Sequence, residues 1–414
     1  MSINTLVPSI LIPSIMRIGA GASLCLPDVM QQLGLQKPLI ITGPVVTKYG
    51  YLDNVTAALS NQQIGYGLFS DVPADPCTNT VAAALRVFSA GDYDCVVGLG
   101  GGSPMDTAKA VSLLAVNGGE VRDYIAPQDN TTPGLPIIAI PTTAGTGSEA
   151  TKVTIITDAE NGEKMLLMGR AFLPTVALID YTLTLTMPYR LTADTGIDSL
   201  THAMEAYVSR RASPFSDSLA LSAMKLIYEN IRIVCEHPDN AQAREAMMLG
   251  ATQAGMAFSN ASVALVHGMS RPIGANFHVP HGLSNAMLLP AITEFSVPAA
   301  EARYGDCARQ MGVVPAGTND VTANRILLAE LKRLNEDLAV PSPADYGIDR
   351  ETYMDLLPLM AEQALDSGSP GNNPRVPTTD EIIELYQQVY GRVESTVLPP
   401  RVVQNTLQHR RASR

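Results

Sequence analysis

The feature that most constrains the fold of this chain is a change of pattern near residue 186. Before it, short apolar runs alternate with helix-like segments, and these runs are PLIITG, IGYGLFSD, DCVVGLG, PIIAIPTT, VTIITD and TVALIDY. After Met187 and Pro188 only helical patterns follow. Alternating strands and helices predict a mostly parallel sheet that is covered by helices. The sequence therefore predicts an α/β domain over 1–186, an all-helical domain over 187–392 and a polar tail over 393–414.

The composition is that of an ordinary globular protein. Of the 414 residues, 46% are hydrophobic and 16% are charged. A net charge of −12 without a long basic run argues against nucleic acid and anionic membranes as partners. No apolar stretch reaches the roughly 20 residues of a membrane span. The five cysteines are scattered without a CxxC pair, which is typical of reduced thiols in a cytoplasmic protein.

The N-terminal stretch Leu6–Met16 is apolar. It lacks the basic region and the small-residue cleavage site of a signal peptide, so we expect a β-hairpin there. An edge strand of this character needs covering, which favours a homodimer.

Four residues have the types and spacing of a metal site. Asp198 and His202 stand four apart in a segment with helical composition, so they face the same side of a helix. His267 and His281 follow, separated by prolines and glycines that let the chain fold back. Imidazoles and one carboxylate together suit a divalent transition metal. The alternative is a pair of core histidines beside a helix-surface aspartate.

A glycine-rich turn joins a predicted strand to a predicted helix in DCVVGLGGGSPMDTAKAVS. Gly101 and Gly102 let an anion approach the backbone, and the N-terminus of the helix offers free N–H groups. Ser103 is predicted as the N-cap, Pro104 as the first helical residue and Asp106 as the capping-box acid. This turn suits a pyrophosphate, although neither GxGxxG nor GxxxxGK[ST] spacing is present. A capped turn without a ligand is the alternative.

A second loop supports nucleotide binding. The run PIIAIPTTAGTGSEAT ends a buried strand with the hydroxyls of Thr142, Thr143 and Thr146. Open α/β sheets bind ligands at the carboxyl ends of their parallel strands. A polar loop without a ligand is the alternative, but two such loops on neighbouring strands favour a nucleotide.

Together these segments resemble the iron-dependent (group III) alcohol dehydrogenase family, over about residues 8–391. The resemblance rests on GGGSPMD at 100–106, PTTAGTGSE at 141–149, TGIDSLTHAMEAY at 195–207 and HGMSRPIGANFHVPHG at 267–282. It implies a dinucleotide-binding N-terminal domain, a helical metal-binding C-terminal domain, a cleft between them and a homodimer. It also implies Fe(II), or zinc or another divalent ion, with NAD or NADP.

The resemblance assigns roles by position. The implied metal ligands are Asp198, His202, His267 and His281. The implied cofactor-binding residues are Gly101, Gly102, Ser103 and Asp106 at the pyrophosphate, Thr142, Thr143 and Thr146 toward the nicotinamide, and Lys164 at the ribose.

One departure from the family pattern concerns the cofactor. Many NAD-using members have an aspartate for the adenosine ribose where this chain has Gly43. A carboxylate there would repel a 2′-phosphate, so its absence permits NADP as well as NAD. The nearest basic residue along the chain is Lys48.

A second departure is Arg271, which stands where many relatives have a histidine assigned to proton transfer. Arginine cannot shuttle protons at neutral pH, but it can bind a substrate carboxylate or phosphate. We therefore expect a carboxylated or otherwise polar short substrate to outperform a plain alcohol. A structural salt bridge is the alternative for Arg271. His278 is then the remaining candidate for proton relay, with a structural role as its alternative.

The expected activity is metal-dependent hydride transfer between a nicotinamide cofactor and a small alcohol, aldehyde or ketone. A cyclising synthase resembling dehydroquinate synthase has the same architecture, but it needs many basic residues near the metal. Here only Arg271 and Lys152 are candidates for that role. A non-catalytic nucleotide-binding protein is the third hypothesis.

Overall fold

The structure, a computed structural model, describes residues 9–391. Its strands are β1 (Ile15–Ile18), β2 (Pro38–Thr42), β3 (Gly67–Phe69), β4 (Cys95–Gly100), β5 (Ile137–Pro141), β6 (Val153–Thr157), β7 (Lys164–Met168) and β8 (Val176–Ile179). The helices before the last strand are α1 (Leu26–Leu33), α2 (Pro44–Lys48), α3 (Tyr51–Asn61), α4 (Thr78–Ser89) and α5 (Gly102–Asn117). Those after it are α6 (Tyr189–Val208), α7 (Pro214–Glu236), α8 (Ala241–Ala261), α9 (Leu265–Phe277), α10 (His281–Ser296), α11 (Glu301–Gln310), α12 (Asp320–Asp337), α13 (Pro343–Tyr346), α14 (Arg350–Asp355), α15 (Leu357–Asp366) and α16 (Thr379–Tyr390).

Six strands form one parallel sheet in the order β1-β8-β5-β4-β2-β3. Every residue of β2, β4, β5 and β8 is buried, because helices cover both faces of the sheet. The predicted fold class, a mostly parallel α/β part followed by a helical part, is confirmed. Since the strands are parallel, the carboxyl ends of β2, β4 and β5 meet at one edge of the sheet.

One detail of the predicted sheet is wrong. The run VTIITD does not join the main sheet, because β6 pairs antiparallel with β7 in a separate ribbon. Burial alternates along β6, as expected for a strand with one exposed face. The predicted N-terminal hairpin falls partly outside the described residues and stays a prediction; within them, β1 pairs in parallel with β8 at the edge of the sheet. Residues 1–8 lie outside the described residues.

The helical part is built on α6, α7 and α8, which share one apolar core with the later helices. Small buried side chains such as Ala203, Ala223 and Ala254 let these three helices approach one another closely. The last strand ends at Ile179 and α6 begins at Tyr189, while the boundary at residue 186 stays a prediction. The predicted tail lies outside the described residues. Within residues 9–391 no helix has the length and apolarity needed to cross a membrane.

Candidate metal centre and cofactor cleft

Three helices bring the four predicted metal ligands together. Asp198 and His202 lie one turn apart on α6, His267 is near the start of α9, and His281 is the first residue of α10. One potential ligand atom from each residue lies within 4.8 Å of every other. A Cβ built on Gly282 would lie 2.5 Å from the backbone oxygen of Asp194 on α6. Glycine at that position therefore lets α10 start against α6, next to Asp198.

The spacing of these atoms fits a small divalent cation. Asp198 Oδ1 lies 3.4 Å from His267 Nε2 and 3.8 Å from the Nε2 atoms of His202 and His281. These three distances are close to the ligand–ligand spacings of a tetrahedral site with metal–ligand bonds of about 2.1 to 2.3 Å, and the other ligand pairs lie within 4.8 Å. Three imidazoles and a carboxylate suit Fe(II), Zn(II) and several other first-row ions.

The protonation states of His202, His281 and Asp198 also suit a cation. Burial lowers the pKa of His202 to about 3. The pKa of His281 is lowered as well, although 45% of its side chain is exposed, because part of its ring is withdrawn from water and His267 and Arg271 lie nearby. Both rings therefore offer neutral nitrogen lone pairs at neutral pH. Burial opposes ionisation of Asp198 as well, but the surrounding imidazoles, His202 first, hold its pKa below the ordinary value. Burial likewise opposes charge on His267, yet hydrogen bonds to Asp198 and Glu205 raise its pKa to about 9.

Glu205 holds His267 in place, and the sequence analysis missed this role. Its Oε2 accepts from His267 Nδ1 at 2.7 Å and from the Ala264 backbone N–H at 2.9 Å, while Oε1 accepts from the Val266 N–H at 2.5 Å. A proton on Nδ1 leaves Nε2 free to face a metal. Glu205 follows Asp198 by seven residues, which is two helical turns. An acidic residue on the same helix face as Asp198 was therefore the feature of the sequence that could have identified this role.

Two further side chains border the centre. Asn285 Nδ2 lies 2.7 Å from Asp198 Oδ1 and 3.2 Å from the Nε2 atoms of His267 and His281. Phe258 stacks on His202 with ring centroids 4.3 Å apart. Asn285 follows His281 by one helical turn, which was the only hint in the sequence of its position.

On the cofactor side of the cleft, α5 begins earlier in the glycine-rich turn than predicted. The N-cap is Gly101 rather than Ser103, and the helix starts at Gly102 rather than at Pro104. The Ser103 hydroxyl does not cap the helix, because it donates to the Ala74 carbonyl at 2.6 Å. The groups left for an anion here are thus the free backbone N–H groups of the first turn.

Asp106 ties this helix to the neighbouring loop. Its Oδ1 accepts from the Ser148 hydroxyl at 2.7 Å, and its Oδ2 accepts from the Ile155 N–H at 2.9 Å. The buried Lys109 ammonium lies 3.9 Å away. Burial raises the pKa of Asp106 despite these partners. The carboxylate therefore positions the loop that carries Ser148.

The threonines of the second loop line the same edge of the sheet. The Thr142 N–H donates to the Gly100 carbonyl at 2.9 Å, which joins the ends of β5 and β4. The Oγ1 of Thr143 is buried and has no hydrogen-bond partner among residues 9–391. A buried hydroxyl without a partner fits a site that a polar ligand completes. Val45 and Leu183 line a small, mostly apolar pocket together with Thr142 and Thr143.

Thr146 lies against the glycine turn, since a Cβ built on Gly102 would lie 3.1 Å from its Cγ2. The hydroxyl of Thr146 accepts from the Ser148 N–H at 3.2 Å. The two loops predicted to bind a nucleotide are therefore in contact with each other.

The segment after these threonines connects the cofactor edge to the metal helix. The hydroxyl of Ser199, the neighbour of Asp198 on α6, lies 2.8 Å from the Thr195 carbonyl of its own helix and 3.3 and 3.2 Å from the carbonyls of Ala144 and Gly145 in the loop. Gly147 has a left-handed φ of 63°, and a Cβ there would lie 2.6 Å from Gly255 Cα on α8. Only glycine permits this approach, so the GTG sequence fixes the distance between the two halves of the cleft.

Gly43 lies at the end of β2, on the same edge of the sheet. A Cβ at this position would lie 2.7 Å from the Val72 carbonyl oxygen. The absence of a side chain here is therefore required by packing in this chain, in addition to any effect on the cofactor.

The remaining predicted residues lie as follows. Lys164, on β7, binds both oxygens of Asp75 at 2.9 and 3.0 Å. His278 is exposed at the end of α9, with a left-handed φ of 55°, and its imidazole forms no hydrogen bond within the described chain. Arg271 is half-buried and donates to the Ser369 hydroxyl at 3.1 Å. Burial lowers the pKa of Arg271, while Glu205 acts in the opposite direction.

Comparisons with known proteins agree with this geometry. The family model described as iron-containing alcohol dehydrogenase matches residues 13–181, and the C-terminal model of the Fe-containing alcohol dehydrogenase family matches residues 192–390. Lactaldehyde reductase of Escherichia coli K12 is 36% identical over 375 residues, which cover 90% of this chain and 97% of that protein.

Solved structures lead to the same family. A 1,3-propanediol oxidoreductase superposes with a TM-score of 0.89 at 34% identity, covering 92% of this chain and all of the other. A sulfoacetaldehyde reductase from Bifidobacterium kashiwanohense, in complex with NAD+, superposes with a TM-score of 0.83 at 28% identity, covering 93% and 99% of the two chains.

The fold, the four converging ligand atoms and these matches lead to one conclusion. The chain belongs to the iron-containing alcohol dehydrogenase family, and it is an oxidoreductase that transfers hydride between a nicotinamide cofactor and an alcohol or its carbonyl product.

Proposed function

We propose that the chain binds one divalent metal ion through Asp198, His202, His267 and His281 and uses it to oxidise short alcohols or to reduce their carbonyl counterparts. The observation that carries this proposal is the convergence of four ligand atoms within 4.8 Å. An ion at this position would act as a Lewis acid on the substrate oxygen. Fe(II) is the first choice from the family, with zinc or another divalent ion as the alternative.

The side chains divide the remaining work between them. Glu205 fixes the ring of His267, and Phe258 and Asn285 limit the space around the centre. The first turn of α5 would bind the pyrophosphate through backbone N–H groups, and the free Oγ1 of Thr143 would donate to the cofactor. Exposed His278 is the candidate for exchange of a proton with water, and that role stays a prediction, as does a cytoplasmic location.

The cofactor is proposed to be NAD or NADP, because Gly43 places no carboxylate near a 2′-phosphate. We expect detectable turnover with NADP. Gly43→Asp should lower the ratio of kcat/KM for NADP over NAD by at least about tenfold, through repulsion of the added phosphate. Steady-state kinetics with both cofactors measures this ratio.

Gly43→Ala is the matched control, because any Cβ at this position meets the Val72 carbonyl at 2.7 Å. Alanine should weaken both cofactors together and leave the ratio unchanged. If aspartate and alanine change the ratio equally, position 43 does not select the cofactor.

A homodimer is proposed on the basis of the sheet edge. Strand β1 is the outer strand, and Ile10, Ile12 and Ile18 beside it are 36%, 41% and 49% exposed. An apolar edge of this kind favours association with a second copy. Light scattering at micromolar concentration should report twice the chain mass of 44.0 kDa. A monomer under those conditions would contradict the proposal.

The function is tested by following nicotinamide absorbance with a panel of short alcohols, aldehydes and hydroxy acids. The metal-loaded protein should reduce NAD or NADP with at least one alcohol. A cyclising synthase would regenerate its cofactor and show no net change in absorbance. A nucleotide-binding protein without activity would bind the cofactor and leave every substrate unchanged.

A further inference from the structure

The charge of Arg271 is unbalanced within the described chain. Its guanidinium has five N–H donors, and the structure gives it one hydrogen bond, to Ser369 Oγ at 3.1 Å. Among residues 9–391 it forms no ion pair. The carboxylate whose charge acts on it is that of Glu205, which already accepts from three N–H groups. Half-buried guanidinium groups are normally paired with an anion.

Arg271 also belongs to the metal centre by position. It lies one helical turn after His267 on α9, so the two side chains face the same side. The metal centre thus has two negative charges, on Asp198 and Glu205, and one positive charge, on Arg271. A divalent ion would bring the net charge of the centre to +1. Lys164, on β7, is left out of this sum because its charge is paired with that of Asp75 at 2.9 Å.

The residue that holds the guanidinium is itself fixed. Ser369 begins a short 3-10 helix, Ser369–Asn372, and Asn372 Nδ2 donates to Ser262 Oγ at 3.0 Å and to the Val263 carbonyl at 3.1 Å. Pro370 packs on α9, since a Cβ at Gly268 would lie 2.7 Å from its ring. The segment that carries Ser369 is therefore packed against α9 and bonded to Ser262 and Val263, so the hydrogen-bond partner of Arg271 is held in a fixed position.

We infer that Arg271 binds the carboxylate of a short hydroxy acid whose hydroxyl group is the one that reacts at the metal. This inference rests on the proposed function and names its substrate class. An anion would bring the net charge of the centre to zero, and a planar carboxylate can accept two parallel N–H bonds from a guanidinium. The relatives do not settle this point, because their names include the neutral 1,3-propanediol and the anionic sulfoacetaldehyde.

The reaction itself is unchanged by the carboxylate. The hydroxyl-bearing carbon loses hydride to C4 of the oxidised nicotinamide, and the hydroxyl proton goes to solvent, which yields the oxo acid and the reduced cofactor. The carboxylate stays intact, and Arg271 determines only which substrates are held with the hydroxyl at the centre.

The test compares pairs that differ only in the charged group: glycolate with ethanol, 3-hydroxypropionate with 1-propanol, and 4-hydroxybutyrate with 1-butanol. For at least one pair the wild type should favour the acid. Arg271→Met should lower the kcat/KM ratio of acid over alcohol by roughly 30- to 1,000-fold. Arg271→Lys should give an intermediate ratio, since it keeps the charge but loses the paired donors. Arg86→Met, at an exposed position on α4, is the control for loss of a charge and should leave the ratio unchanged.

A binding measurement without cofactor separates this inference from the proposed function. Isothermal titration of the same hydroxy acids into metal-loaded protein should show Kd raised by at least about tenfold in Arg271→Met, with circular dichroism and metal content as in the wild type. Equal Kd values and equal ratios in wild type and variant would overturn the role of Arg271, while turnover of neutral alcohols would leave the proposed function standing. A wild-type protein that binds no metal and turns over no substrate would instead contradict the proposed function.

Discussion

Replacing His281 with alanine is expected to reduce kcat/KM by about a thousandfold or more and to leave the fold intact. Lewis-acid stabilisation contributes several kcal/mol to the transition state, and each 1.36 kcal/mol is about a factor of ten in rate. His281 is the best position for this test, because its side chain is 45% exposed, whereas that of His267 is 3% exposed and is bonded to Glu205. Steady-state kinetics and metal analysis on the same preparation measure both effects.

His237→Ala is the matched control, since this histidine is exposed at the end of α7. The control should keep the metal and the full rate. A His281→Ala protein that retains one ion per chain and wild-type kcat/KM would remove His281 from the proposed site.

Replacing Gly147 with alanine is expected to lower the free energy of unfolding by about 2 to 5 kcal/mol. Alanine in the left-handed region costs about 1 to 2 kcal/mol, and overpacking adds about 1 to 3 kcal/mol. The added methyl group would meet Gly255 on α8 at 2.6 Å and would push the neighbouring Thr143–Thr146 loop away from α8. We therefore expect weaker cofactor binding as well. Urea unfolding followed by circular dichroism gives the stability change.

Gly34→Ala separates the two contributions, because Gly34 has a similar φ of 71° and no atom within 4 Å of an added Cβ. This control should cost only the backbone part, about 1 to 2 kcal/mol. If both variants lose the same stability, the contact between Gly147 and Gly255 does not hold the cleft together.

Much of the fold could be predicted from local patterns. Buried parallel strands such as β4 appear as unbroken apolar runs, and long amphipathic segments such as α7 appear as helices. The sheet assignment of β6 failed because an apolar run shows that a strand exists and says nothing about its partner. Pairing of β6 with β7 depends on a turn and on contacts that only the folded chain forms.

The candidate site, like the fold, could be predicted only in part from the sequence. The spacing of Asp198 and His202 predicted a shared helical face. The prolines and glycines between His267 and His281 predicted that the chain folds back and brings the two histidines together. The structure brings these groups together, while metal binding itself stays a prediction. Glu205 and Asn285 were missed, because their roles depend on which neighbours they meet after folding.

The cofactor side shows the limit of motif reasoning. The glycine turn predicted a helix N-terminus correctly, but the partners of Ser103 and Asp106 come from distant segments, at Ala74, Ser148 and Ile155. Capping rules consider only near neighbours along the chain, so they assigned both side chains to the wrong local contacts. The clash that keeps position 43 free of a side chain also arises from another segment, at Val72.

The central claim is that one divalent ion, held by four side chains, is required for hydride transfer. The most direct test is to strip the protein with a chelator, verify the loss of metal by elemental analysis, and follow nicotinamide absorbance as Fe(II) or Zn(II) is added back without oxygen. We predict no turnover in the stripped protein and full recovery at about one ion per chain. Undiminished turnover by protein that is demonstrably free of metal would contradict the account.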